Sequence, residues 1–100
     1  MTCYAIATLN IHDREGYAPY QEGFMNIFSR YRGRMLSVDE EPQTLEGEWN
    51  YTRTVLIEFP NKVDLLAWYE SPDYQDLMKH RLAASSGNVV IVEALPAQPA

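Results

Sequence analysis

The sequence is poor in three features that define common classes of small protein: cysteine, basic residues and long apolar runs. Its single cysteine, Cys3, cannot form an internal disulfide, and its apolar neighbours predict a buried side chain more than a reactive thiol. The eight Lys and Arg residues are scattered and outnumbered by 14 Asp and Glu. A net charge of −6 therefore argues against nucleic acid as a partner. With no run of roughly 18 apolar residues and no basic leader, we expect a cytoplasmic protein that does not bind membranes.

The strong catalytic and cofactor motifs are missing as well. The sequence contains no P-loop, no GxGxxG fingerprint, no GxSxG elbow and no HExxH zinc motif. His12 and His80 are not at metal-ligand spacing. The acidic run at 39–41 lacks the alternating ligands and central glycine of a calcium loop, and is typical of a solvated surface. We therefore expect neither a metal nor a cofactor.

The length and the apolar fraction favour a single folded domain. One hundred residues are enough for one hydrophobic core, and 46% apolar residues are ordinary for a globular chain. We place the domain at residues 1–95 and expect the Pro/Ala-rich residues 96–100 to form a flexible tail.

The first half of the chain predicts a strand, a helix and a second strand. Residues 3–11 form an apolar, β-compatible run. Aromatic and apolar residues then recur three and four apart, which predicts a helix that Asp13 caps and that ends near Arg32, with Gly33 as its stop. Residues 34–40 predict a weaker strand.

The second half predicts the same elements in the order strand, helix, strand. Residues 51–59 predict the third strand and residues 89–94 the fourth. Asn61 resembles the cap of a second helix, which Ser71–Pro72 interrupts and restarts. The apolar face of its first part contains three residues: Val63, Leu66 and Ala67.

The resulting βαββαβ order predicts an α+β, ferredoxin-like domain with a four-stranded antiparallel sheet. Three of its strands are apolar on both faces, so both faces should be covered. We place Val55, Ile57 and Phe59 under the helices. The opposite face is expected to contain Tyr4, Ile6, Thr8, Asn10, Leu56, Glu58, Ile91 and Glu93. Two helices cover only one face, which predicts that a second subunit covers the other in a homodimer.

Several segments resemble the domain of unknown function 1330 family. They are EGEW at 46–49, Arg53, EFP at 58–60 and AWYESPDYQ at 67–75, followed by Arg81. The resemblance implies a dimeric α+β barrel, in which two four-stranded sheets pack face to face, and it implies no activity. Relatives of this fold include cofactor-free monooxygenases and haem-handling enzymes, which is an analogy of fold alone. Two positions depart from the family pattern: Pro19 stands where the family usually has a helix-forming residue, and Ala94 where it usually has Gly. Both departures concern structure more than chemistry.

Two arginines and four aromatic residues are the candidates for substrate binding. Strand parity places Arg53 on the helix side of the sheet, and Arg81 falls on the buried stripe of the last helix. They would line one pocket together with Tyr17, Tyr20, Trp68 and Tyr74. Guanidinium groups bind carboxylates, and aromatic walls suit a flat ligand. The alternative is that Arg81 pairs with an acid such as Asp73 and that the rings are core.

Glu58 and His80 are the candidates for proton transfer. Glu58 lies on the face that we assign to the dimer interface, and burial there would raise its carboxyl pKa towards the range of a general base. The alternative is an interface hydrogen bond to a Tyr or Thr of the partner.

Two functional hypotheses follow. The first is a cofactor-independent enzyme or binder that acts on a small organic acid or phenolic compound. Arg53 and Arg81 would hold the anion, and Tyr20 or Tyr74 would donate hydrogen bonds. The alternative is a non-catalytic module for dimerisation or ligand sensing, so the sequence leaves open whether the protein is an enzyme. A closed pocket with convergent polar groups would favour the first hypothesis, and a filled core the second.

Overall fold

The computed structural model describes residues 1–96, so residues 97–100 of the predicted tail lie outside the described residues. The elements are β1 (Cys3–Ile11), α1 (Arg14–Phe28), β2 (Arg34–Asp39), β3 (Arg53–Phe59), α2 (Lys62–Tyr69), α3 (Pro72–Ala84) and β4 (Ser85–Glu93). The strands form one antiparallel sheet in the order β2-β3-β1-β4. The predicted βαββαβ order is confirmed, with the second helix divided into α2 and α3.

Each helix begins at the capping residue that the sequence predicts. The Asp13 carboxylate accepts a hydrogen bond from the Gly16 amide at 3.0 Å. The Asn61 side chain accepts from the Asp64 amide at 2.8 Å, and the Ser71 hydroxyl accepts from the Tyr74 amide at 3.2 Å. These bonds satisfy amides that the first turn of a helix leaves without a partner.

The predicted end of α1 is wrong. The helix ends at Phe28, and the Ser29 amide donates to the Met25 carbonyl. Gly33 is therefore not its stop. It is instead a point of close packing, because a Cβ there would lie 2.5 Å from the Cζ atoms of both Phe28 and Phe59.

The predicted apolar face of α2 is also wrong in two of its three residues. Val63 is 77% exposed, and Ala67 is exposed as well. The buried residues are Leu65 and Trp68, which are three apart and face the sheet. Helix α2 has only eight residues, and its apolar residues lie on every side of it. Their spacing in the sequence therefore does not identify the buried side.

Strand β4 is longer than predicted, and its two faces are reversed. It begins at Ser85, which pairs with Ile11, so the strand continues directly from α3. Ile91 pairs with Ala5, and Glu93 with Cys3, which places both on the helix side. The open face instead receives Val90 and Val92, the register partners of Ile6 and Tyr4.

The sheet face away from the helices is uncovered within residues 1–96. Its apolar residues are Ile6, Leu56, Val90 and Val92, of which Val90 and Val92 are 49% and 44% exposed. Glu58 lies on this face and forms an ion pair with Arg34 of β2, in which Oε1 of Glu58 is 3.1 Å from Nη2 of Arg34.

The other face packs on a cluster of aromatic rings centred on Trp68, which is 3% exposed. Its indole stacks on Phe59 of the sheet, with ring centroids 5.6 Å apart, and meets the edge of Phe28 at 5.3 Å. Tyr74 lies 4.4 Å from it on the other side. These rings join all three helices to the sheet. Among residues 1–96, no helix has the length and apolar character needed to cross a membrane.

Gly87 predicts a test of the β1–β4 pairing. A Cβ at this position would lie 2.0 Å from the Thr8 carbonyl oxygen and 2.9 Å from Leu9 Cα, both backbone atoms that cannot move aside. We expect Gly87→Ala to lower the free energy of unfolding by about 3 kcal/mol or more, measured by urea denaturation. Ser86→Ala, at the exposed neighbouring position, is the control and should change it by less than about 0.5 kcal/mol. A Gly87→Ala variant as stable as the control would contradict this register.

Candidate functional site

A cavity of about 310 Å³ lies between the sheet and the helices. Its volume is at the lower end of the range for small-molecule sites. The sheet contributes mainly apolar side chains: Ala5, Ala7, Leu9, Val55 and Ile57. The helices contribute rings and longer side chains: Tyr17, Tyr20, Gln21, Phe24, Met25, Trp68, Tyr69 and Tyr74. The cavity therefore suits a ligand with a flat, largely apolar body.

The space exists because the strand at the centre of the sheet has small side chains. Ala5 and Ala7 of β1 face the helices, where neighbouring strands have Ile57, Val55 and Ile91. A methyl group at each of these two positions leaves room above β1 that a larger residue would fill.

Both candidate arginines line this cavity. Arg53 lies at the start of β3, with its guanidinium 5.7 Å from the centroid of the Tyr17 ring. Arg81, from the last turn of α3, lies 5.7 Å from the centroid of the Tyr20 ring. The two tyrosine rings are themselves 5.4 Å apart, so both cations approach one small space.

Arg81 has no acid partner among residues 1–96. It is 7% exposed, yet none of the carboxylates in residues 1–96 lies within 4.0 Å of its guanidinium. The partner that the sequence offered, Asp73, pairs instead with Arg30 at 2.9 Å. A guanidinium keeps its charge at any working pH, so burial without a counter-charge is costly. A negatively charged ligand would remove that cost.

Arg53 is in a different electrostatic state. Its side chain is 14% exposed, and its Nη1 lies 3.6 Å from Oε2 of Glu40. Its charge is therefore partly balanced, since Glu40 also pairs with Arg14, and that distance is too long for a hydrogen bond. The Nε–H group is buried and has no acceptor in the described part of the chain. The indole Nε1–H of Trp68 is in the same condition.

Two tyrosine hydroxyls form a neutral donor pair in the cavity wall. The Tyr20 and Tyr74 oxygens are 2.7 Å apart, so one hydroxyl donates to the other. A pair of hydroxyls has two hydrogens and this contact uses one, which leaves one hydrogen for a further acceptor.

Burial keeps these hydroxyls protonated. It raises the pKa of Tyr20, and the adjacent Tyr74 hydroxyl raises it further. Burial likewise raises the pKa of Tyr74 above the ordinary tyrosine value, although the hydrogen bond with Tyr20 and the charge of Arg81 oppose it. The pKa of Tyr17 is also raised by burial, against the charge of Arg53. The wall therefore consists of neutral donors and fixed cations.

The two candidates for proton transfer lie elsewhere. Glu58 is on the opposite face of the sheet, paired with Arg34. His80 is exposed on α3. Neither lines the cavity, whose described lining contains no carboxylate, histidine or cysteine. In residues 1–96 no group of three or more His, Cys, Asp or Glu is arranged to hold a metal ion.

Three polar residues in or beside the site were missed by the sequence reasoning: Gln21, Glu40 and Tyr69, the last of which lies next to Trp68 and also lines the cavity. Gln21 lies four residues after Tyr17, so helical spacing places both on one side of α1, and this signal was present. Glu40, interpreted as part of a solvated acidic run, contacts both Arg14 and Arg53. No local pattern indicates that contact, because the three residues come from separate parts of the chain.

Comparison with known proteins identifies the family and the fold. The family model for the domain of unknown function DUF1330 matches residues 2–95. A search of curated proteins found no match. A protein of unknown function from Rhodopseudomonas palustris superposes with a TM-score of 0.79 at 18% identity, over 96% of this chain and 84% of that chain.

Two further solved structures share the fold at low identity. One is a dimeric ferredoxin-like protein of unknown function from Jannaschia sp. CCS1, with a TM-score of 0.67 at 18% identity over 94% of this chain and 100% of that chain. The other is a cofactor-independent oxygenase from Streptomyces nogalater, with a TM-score of 0.64 at 13% identity over 99% and 98% of the two chains.

The raised tyrosine pKa values predict how stability depends on pH. The folded state holds these phenolic protons more tightly than the unfolded chain, whose tyrosines ionise near pH 10. Their contribution is therefore complete below pH 10 and is lost as the pH rises further, by about 1.4 kcal/mol per pH unit for each tyrosine. We expect Tyr20→Phe to reduce this slope by about one tyrosine's share between pH 10 and 11.5, measured by urea denaturation.

Tyr31→Phe is the matched control, because Tyr31 is partly exposed and lies outside the cavity lining. A slope that falls equally in both variants would contradict the assignment to Tyr20.

Proposed function

This chain belongs to the domain of unknown function 1330 family, and we propose that it binds a small organic acid or phenolic compound in the cavity between its sheet and its helices. Arg81 and Arg53 would interact with the polar end of the ligand, and the Tyr20–Tyr74 pair would donate a hydrogen bond. Tyr17 and Trp68 would form walls against its flat body.

The observation that carries the proposal is that the buried, positively charged Arg81 has no carboxylate partner in residues 1–96. A buried guanidinium in a filled core is ordinarily paired with a protein carboxylate. Here the guanidinium lies against the Tyr20 ring and beside Tyr74, lines the cavity, and has no carboxylate within 4.0 Å in residues 1–96. A bidentate carboxylate matches the fork of a guanidinium in shape and in charge, which makes a carboxylic acid the preferred ligand class.

Binding of this kind is the first step of either function in this class. Cofactor-independent catalysis would need a proton acceptor. The ionisable groups of the lining are tyrosines and arginines, so the proton acceptor would be one of these groups or a basic group of the ligand itself. Ligand sensing needs no such group. The fold is shared with the Streptomyces nogalater oxygenase, and this analogy alone makes catalysis by this protein worth testing. The non-catalytic module is the second candidate, supported by the absence of Glu58 and His80 from the described cavity lining.

A thermal-shift screen of small aromatic carboxylates and phenols tests the proposal. A ligand present at 100 times its Kd should stabilise the wild-type protein by about 2.7 kcal/mol, which is seen as a rise in Tm. In Arg81→Met the rise in Tm should disappear for carboxylates, because the guanidinium that would pair with the ligand carboxylate is gone. The empty variant should be as stable as the wild type or more so, because an apolar side chain replaces a buried charge.

Arg30→Met is the control, because Arg30 is exposed and paired with Asp73. It should retain the full ligand-induced rise in Tm. Carboxylates that stabilise Arg81→Met as much as the wild type would contradict a site at Arg81.

We propose further that the protein is a homodimer that pairs through the open sheet face. Support comes from the four apolar residues of that face, which the helices leave uncovered, and from a fold shared with the dimeric protein from Jannaschia sp.. Two such faces packed together would bury the apolar strands of both subunits.

Light scattering tests the assembly. At micromolar concentration the wild type should have twice the mass of one chain. Val90→Lys places a charge on the open face, beside Ile6 of β1, where it would be desolvated in the dimer, and should give monomers. Val63→Lys makes the same change on the exposed side of α2 and should leave the dimer intact. A wild-type monomer, or a dimer that survives Val90→Lys, would contradict this interface.

A further inference from the structure

Arg53 and Arg81 line the same cavity, but a carboxylate partly compensates the charge of only one of them. The carboxylate of Glu40 lies beside Arg53, whereas Arg81 has no carboxylate within 4.0 Å in residues 1–96. Glu40 does not itself line the cavity. It follows directly after β2 and reaches Arg53, the first residue of β3, from outside the lining.

Glu40 is held in place by a second arginine. Its Oε2 accepts a hydrogen bond of 2.6 Å from Nη1 of Arg14, the first residue of α1. The hydrogen bond and the charge of Arg14 lower the pKa of the Glu40 carboxyl, so it is ionised at neutral pH. Arg14 is 57% exposed, and water screens its charge, whereas Arg53 is 14% exposed. Glu40 is 43% exposed and shared between the two arginines, so for a ligand inside the cavity its charge partly offsets that of Arg53, the more buried of the two.

Arg53 nevertheless retains hydrogen-bonding capacity. Its distance of 3.6 Å from Glu40 is an ionic contact without a hydrogen bond, and its buried Nε–H has no acceptor in the described residues. A donor whose charge is partly balanced and whose hydrogen is free suits a neutral oxygen acceptor.

We infer that the site selects organic acids with a single negative charge and a second, uncharged oxygen, and that Glu40 sets this selectivity. The inference rests on the proposed function. The carboxylate would interact with Arg81, and a hydroxyl or carbonyl oxygen would accept from Arg53. A second carboxylate at Arg53 would lie close to the Glu40 carboxylate, and the repulsion between them would weaken binding.

Two acids on the same ring give a direct test. At pH 7, 4-hydroxybenzoate has one charge and a neutral para oxygen, while terephthalate has a carboxylate at that same para position. Isothermal titration calorimetry should show that the wild-type protein binds 4-hydroxybenzoate about tenfold or more tightly than terephthalate. In Glu40→Gln the amide oxygen can still accept from Arg14, but the charge is gone. Terephthalate should then bind about tenfold more tightly, and 4-hydroxybenzoate should change by less than about threefold.

Two control variants separate this effect from a change in net charge. Glu41→Gln removes the same charge from the neighbouring exposed residue and should leave the preference for the single charge unchanged. Arg14→Gln removes the cation that shares Glu40 with Arg53, so the preference for the single charge should be kept or increased. Circular dichroism melts of all variants would show that each is folded, as expected for changes at side chains that are about half exposed.

The failures are distinguishable. If the wild type binds terephthalate as tightly as 4-hydroxybenzoate, or if Glu41→Gln gains as much for terephthalate as Glu40→Gln, then the role of Glu40 is overturned while the proposed function stands. If neither acid binds the wild type or any variant at millimolar concentration, both this inference and binding of aromatic acids at Arg81 are overturned.

Discussion

The packing of Trp68 between the sheet and the helices is the contact on which the rest of the structure depends. Its indole lies against Phe59 of β3, Phe28 of α1 and Tyr74 of α3. Large flat rings hold the helices at a distance from the sheet that small side chains could not maintain. Towards β1, where the sheet has alanines, the same spacing leaves a cavity. Core and site are thus two parts of one aromatic layer, filled at one end and open at the other.

That layer also fixes the electrostatics of the site. Tyr17 and Tyr20 of α1 each lie 5.7 Å from an arginine, so the faces of two rings partly compensate two cations. The same burial that keeps the phenols neutral makes the unpaired charge of Arg81 costly. A site with fixed cations and neutral donors, and no group in its described lining that titrates near neutrality, would bind anions with little dependence on pH between 6 and 9.

Much of this arrangement could be predicted from the sequence. Strand parity placed Arg53 on the helix side, and helical spacing placed Arg81 on the buried stripe. The errors occur where local patterns are ambiguous: the buried side of α2, the end of α1 and the faces of β4. In β4 every residue from 89 to 92 is apolar, so only pairing with β1 decides which face each residue occupies. The contact of Glu40 with Arg14 and Arg53 depends on the ends of three elements meeting, which no local pattern records.

The two alanines of β1 that line the cavity, Ala5 and Ala7, determine whether a binding site of this kind exists. Ala5 and Ala7 bear no polar group, yet the open volume exists because they are small. A change of either to leucine or valine would fill the space while leaving the arginines, the tyrosines and the fold in place. Chains of this architecture could therefore gain or lose a ligand through methyl groups alone. A relative with every polar residue of the site intact could still be an empty scaffold.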